Sequence, residues 1–153
     1  MERKTHKFEV VFAEGITLQE VNPESHAMKP PYMDSIVSIS LEVLPILGSL
    51  VNGLRIEKGF FSRKSLFANK KSEDKIDHNL ILHTKGKALE VSWNNFDSTY
   101  LSVVKDLFSK IKSNMHIVIY ENSIGFYKNK RDKRLIRKDL DGKESVISKE
   151  TIV

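Results

Sequence analysis

Residues 97–128 read DSTYLSVVKDLFSKIKSNMHIVIYENSIGFYK, and the change of period inside this stretch decides the fold class. From Asp97, apolar side chains fall at Leu101, Val104, Phe108 and Ile111, the spacing of one helical face. Asp97 is a suitable cap, Lys110 and Lys112 suit the negative end of the helix dipole, and Asn114 is placed to close the helix. Past Asn114 the period drops to two. Met115 to Glu121 and Ile124 to Lys128 then read as strands joined at Asn122-Ser123. A helix over 97–112 followed directly by a hairpin predicts an α+β fold, with a largely antiparallel sheet and the helix on its apolar face.

More hairpins are expected on either side. His6 to Ala13 and Ile16 to Val21 flank Glu14-Gly15, which sets Val11 opposite Leu18 and Phe8 opposite Val21. The segment Asn22 to Met33, with Pro23, Pro30 and Pro31, reads as a loop. Ser35 to Val43 alternates, with Val37, Ile39, Leu41 and Val43 on one face, and predicts a half-buried strand ended by Pro45. Leu54 to Phe61 reads as a strand and Ser62 to Lys75 as a basic loop. Residues 78–84 and 87–93 flank Lys85-Gly86, predicting cross-strand pairs Leu82–Leu89, Leu80–Val91 and His78–Trp93. Arg134 to Leu140 and Lys143 to Ser148 flank Asp141-Gly142, with Ile136 facing Ile147. The expectation is a single domain, 1–153, built of serial hairpins with one principal helix at 97–112; a partly closed β-barrel is the runner-up.

Composition excludes several kinds of chemistry. With no cysteine there is no disulfide, thiolate metal site or thiol nucleophile. The seven glycines stand singly, each read as a turn residue, and form neither a Walker loop nor a G-x-G-x-x-G fingerprint. His78 and His83 stand five apart, on opposite faces of the expected strand, so they cannot share a metal; His78 is expected against Trp93 and His83 near a hairpin tip. No cofactor or metal site is expected. The early charges are followed by no apolar stretch of the secretory type, and the longest nearly apolar run, Val43 to Leu54, is too short to span a bilayer. The expected setting is the cytoplasm.

The positive signal is charge. The chain carries 25 Lys+Arg against 20 Asp+Glu, unevenly placed: residues 1–52 are net −3, 53–75 net +4, 76–123 neutral and 124–153 net +4. Lys128, Lys130, Arg131, Lys133, Arg134, Arg137 and Lys138 face only Asp132 within eleven residues, with Tyr127 alongside as the aromatic expected to be exposed. Arg63, Lys64, Lys70 and Lys71 form a secondary basic segment after Phe60-Phe61. Such runs protect sheet edges, dock acidic proteins or follow phosphates.

The expected function is a non-catalytic binding protein that docks a macromolecular partner, foremost a protein with an acidic surface, in the manner of a small inhibitor or immunity-type protein. One alternative is nucleic-acid binding through 128–138. The other is a hydrolase on an anionic substrate, with residues assembled only by the fold. A homo-oligomer is compatible with open strand edges.

Overall fold

The computed structural model describes residues 11–13, 16–22, 29–62, 64 and 78–150. In chain order the elements are β1 (Val11–Ala13), β2 (Ile16–Thr17), α1 (Leu18–Val21), α2 (Pro30–Leu50), β3 (Arg55–Lys58), α3 (His78–His83), β4 (Ala88–Ser92), α4 (Phe96–Lys110), β5 (Met115–Ile119), β6 (Ile124–Lys128), β7 (Lys133–Lys138) and β8 (Glu144–Glu150). The architecture is α+β, as the period change at Asn114 predicts. β1 and β2 form a small ribbon, and the other six strands form one open sheet ordered β3-β4-β6-β5-β7-β8.

Every adjacent pair in that sheet is antiparallel except β5–β7, which is parallel. β4 and β5 both run antiparallel to β6, so they are parallel to each other, with α4 crossing between them and β6 inserted in the gap. The hairpin β5–β6 pairs Ile117 with Phe126 and Ile119 with Ile124. The hairpin β7–β8 also forms, but a bulge after Leu135 sets Ile136 against Val146 rather than Ile147.

The sheet has two unlike faces. Leu89, Val91, Ile117, Ile119, Phe126 and Leu135 alternate onto the front, where they join α2 and α4 in the main core. Ala88, Val118, Tyr127 and Ile136 alternate onto the back, with Leu82 of α3 and Tyr120 against them.

The expected helix at 97–112 is α4. It starts one residue earlier, behind Asn95 in a left-handed conformation with φ 59°, and its C-cap is Ile111 rather than Asn114. Asp97 therefore sits in the first turn instead of capping. Its buried stripe is Phe96, Val103, Val104 and Leu107, which leaves Leu101 exposed.

Three local readings are corrected. Ser35 to Val43 is part of helix α2, not a strand. Its buried residues are Ile36, Ile39, Ser40, Val43, Leu44 and Leu47, a helical stripe, whereas Leu41 is 56% exposed. Pro30 and Pro31 open this helix, where their missing N–H groups cost nothing, and Pro45 lies inside it. Glu42 joins α2 to the segment after α4 by accepting the backbone N–H groups of Lys112 (2.8 Å) and Ser113 (3.1 Å). By length and composition α2 is long and apolar enough to cross a membrane; in the fold its apolar stripe lies in the core.

Residues 78–83 are likewise helical. Gly86 (φ 69°) is not a hairpin turn but the left-handed cap that ends α3, with Lys87 N–H on Leu82 O (2.9 Å) and Gly86 N–H on His83 O (3.3 Å). The pairs expected across that turn do not form. β4 pairs instead with β3 (Ile56–Val91) and β6 (Leu89–Phe126). Finally, β1 faces β2 with Val11 opposite Thr17 rather than Leu18. The turn 14–15 and Phe8 lie outside the described residues.

Candidate functional site

A strand sends neighbouring side chains to opposite faces, and this divides the basic run. Lys133 and Arg137 go to the helix side. Lys133 is fully buried, and its ammonium donates to the carbonyl oxygens of Phe108 and Ile111 (2.9 Å to the latter) at the C-terminal end of α4, 4.5 Å from the Phe108 ring centre. It therefore satisfies carbonyls that the helix leaves unpaired, and its charge sits at the negative end of the helix dipole. Arg137 donates to Tyr100 Oη (3.0 Å) and lies over that ring. Lys128 reaches Ser38 of α2 at 3.5 Å.

Arg134 and Lys138 take the other side. Arg134 Nε bonds both oxygens of Asp132 (3.2 and 3.1 Å), and Lys138 is half-buried. Lys130 and Arg131 are exposed in the turn between β6 and β7, and Lys64 is exposed in its own segment. Tyr127, expected outside, is 3% exposed and packs inward. Arg63, Lys70 and Lys71 lie outside the described residues. The fold thus does not gather the seven cations of 128–138 on one surface.

What the fold does gather is a set of polar side chains on the back of the sheet, around a cavity of about 330 Å³ under α3. α3 supplies His83 and Asn79, β4 supplies Glu90, and the β5–β6 hairpin supplies Tyr120, Ser123 and Tyr127. His83 is not at a hairpin tip: it is 1% exposed in the last turn of α3. Its ring lies flat on Phe61 (centres 5.3 Å apart) and edge-on to Tyr127 (5.8 Å). His78, expected against Trp93, is exposed.

His83 Nδ1 lies 2.8 Å from the Gly59 carbonyl oxygen. A carbonyl only accepts, so Nδ1 carries the proton and Nε2 carries the lone pair. Nε2 is buried and has no hydrogen-bond partner among the described residues. Burial lowers the imidazole pKa to about 4; the Gly59 bond opposes this and the charge on Lys58 adds to it. The ring is therefore neutral at pH 7, in one fixed tautomer.

Tyr120 and Tyr127 share a hydrogen bond between their hydroxyls (2.6 Å). Burial raises the Tyr120 pKa, against the hydrogen bonds from Tyr127 and Asn79, so its hydroxyl stays protonated. Gly125, read as a turn glycine, is in mid-strand in β6; a Cβ there would lie 2.5 Å from the Tyr127 hydroxyl oxygen. Glu90 accepts from Ser123 Oγ at 2.8 Å and lies 3.8 Å from the Lys58 ammonium. The cavity is thus lined by a neutral imidazole and a paired carboxylate beside a tyrosine pair. Among the described residues no group of three or more metal-ligating acids and histidines converges.

Of these residues the sequence reading singled out Tyr127, for another purpose, and His83, weighed as a metal ligand and set aside. Gly125 was the available signal, because a glycine inside a strand marks a close approach by something large. No protein-family model, curated protein or solved structure matches the chain.

Proposed function

We propose that the chain is a binding protein that docks a protein partner along the edge strand β8. The observation that carries this reading is the state of that edge. β8 pairs only with β7 among the described strands, and Glu144 to Ile147 are exposed. Val146 is 53% exposed, and Leu140 in the preceding turn is 85% exposed. An open edge with apolar side chains is a ready template for an added strand, where main-chain hydrogen bonds supply affinity and alternate side chains supply specificity.

Charge supports the acidic partner expected from the sequence. Lys133 pairs with Glu150, so the turn carrying exposed Lys130 and Arg131 lies at the C-terminal end of β8. A partner segment lying along β8 would meet those two cations at one end. The scattering of the remaining cations favours a protein over a nucleic acid, which needs cations following phosphates on one surface. An inhibitor or immunity-type role would give a one-to-one complex.

The test compares the wild-type protein with Val146→Lys/Ile147→Lys as bait in an extract of the source cells. The expected result is a purifiable one-to-one complex with the wild type only, in which amide exchange along β8 slows. No complex, or one that forms equally with both baits and protects another face, overturns the reading.

A further inference from the structure

We propose that His116, Asn129 and Asp132 form a proton-operated latch on the turn between β6 and β7. The latch stands whether or not a partner docks on β8, and its test uses the protein alone.

The order of the turn starts at Asn129. Its side-chain oxygen accepts the backbone N–H groups of Arg131 (2.7 Å) and Asp132 (3.4 Å), which folds residues 129–132 back on themselves. These two bonds fix which way the amide points, because its NH₂ group could not face two N–H donors. Nδ2 therefore faces His116 Nε2, 2.6 Å away, and donates to it. Nε2 then carries the lone pair, so the ring is neutral with its proton on Nδ1.

Asp132 offers the same nitrogen a second partner. Its Oδ1 lies 3.3 Å from Nε2, and the buried carboxylate is held in place by Arg134 Nε. A lone pair gains nothing from a carboxylate oxygen. Protonation reverses both relations. The new Nε2–H repels the Asn129 amide and donates to Asp132 in a charge-assisted bond, roughly twice as strong as a neutral one. One proton thus moves the ring from one residue of the turn to another. The His116 side chain is 27% exposed, so water delivers that proton without unfolding.

The surrounding charges define the two states. Tyr127 on β6 and Arg134 on β7 stand opposite His116, with Lys149 opposite Arg134 on β8. Lys130 and Arg131 are exposed in the turn. Arg134, Lys130 and Arg131 oppose a charged ring, so that state rests on Asp132. With the ring on Asp132, the Asn129 amide loses the acceptor that ties the turn to β5. The neutral ring fastens the turn that displays Lys130 and Arg131, and the charged ring releases it.

The test is NMR of ¹⁵N-labelled protein from pH 8 to 5, the range in which histidines change charge. At pH 8 the proton should sit on Nδ1 of His116. On acidification the Arg131 and Asp132 amides should shift with the same midpoint as the ring, and their protection from exchange should fall about fivefold, the effect of losing one hydrogen bond. His116→Gln, which does not titrate, should abolish that change. Asn129→Ala should leave both amides poorly protected at every pH while His116 still titrates. A proton on Nε2 at pH 8, a ring that titrates without moving the two amides, or the same amide change in His116→Gln would each overturn the proposal.

Discussion

Acid should weaken this fold through a single imidazole. His83 titrates near its ordinary 6.5 in the unfolded chain and at about 4 in the fold, chiefly because burial disfavours the charged ring. The fold therefore favours the neutral form, and between those two values the unfolded chain binds the proton first. The stability held in His83 is fully present above pH 6.5 and is lost as pH falls through about 4. Each tenfold difference in proton affinity is worth about 1.4 kcal/mol. The loss is then about 2 kcal/mol at pH 5 and about 3 kcal/mol below pH 4. That is a sizeable share of the roughly 5–15 kcal/mol that holds an ordinary domain together.

The assay is urea unfolding across this pH range, read by the fluorescence of Trp93, the only tryptophan, which is buried against Phe96 with ring centres 4.7 Å apart. The comparison is His83→Asn, whose amide can still donate to the Gly59 carbonyl but does not titrate. Carboxylates affect both proteins alike. The wild type should therefore fall relative to the variant by about 3 kcal/mol between pH 6.5 and 4. Parallel pH profiles would refute the reasoning.

Four further outcomes are expected. Gly86→Ala places a Cβ 2.2 Å from the Tyr32 carbonyl oxygen at a φ of 69°, and should cost about 2 kcal/mol or more in urea unfolding. Lys133→Met keeps the aliphatic stem but strips the donor from the Phe108 and Ile111 carbonyls; a loss of about 1–3 kcal/mol is expected in the same assay. Gly125→Ala should push the Tyr127 ring off Tyr120, visible as a lowered tyrosine pKa in a spectrophotometric titration because the displaced hydroxyls reach water. Val146→Lys, on an exposed position, should leave stability within about 0.5 kcal/mol of wild type, so a loss of docking in that variant would report on the edge and not on folding.

The parts of the fold that were legible in the sequence are those where one period admits one reading. Residues 97–128 hold a helical spacing and then a strand spacing over long enough runs to be distinct. Residues 35–43 satisfy both periods at once, and only tertiary packing separates them: it buries Ser40 and exposes Leu41, the opposite of what alternation predicts. Lys85-Gly86 was ambiguous for a similar reason, since a glycine with positive φ serves a hairpin turn and a helix C-cap equally well. The basic run was visible as charge, but a strand divides its charges between two faces, and the helix end that claims Lys133 lies more than twenty residues away. The cavity was the least legible part. His83, Glu90 and the tyrosines come from separate elements, and their convergence depends on the strand order, which no local pattern encodes.

That strand order also constrains how the chain can be made. β6 lies between β4 and β5, yet it leaves the ribosome after both. A nascent chain ending before residue 124 has β4 and β5 unpaired on the sides that will face each other, and α4 has no complete sheet to lie on. Until β6 slots in, the two bare edges are open to any extended segment nearby. Productive folding therefore has to wait for the hairpin turn at residues 122–123 to emerge, and chains truncated before it should be held by chaperones or aggregate instead of accumulating as a half-built sheet.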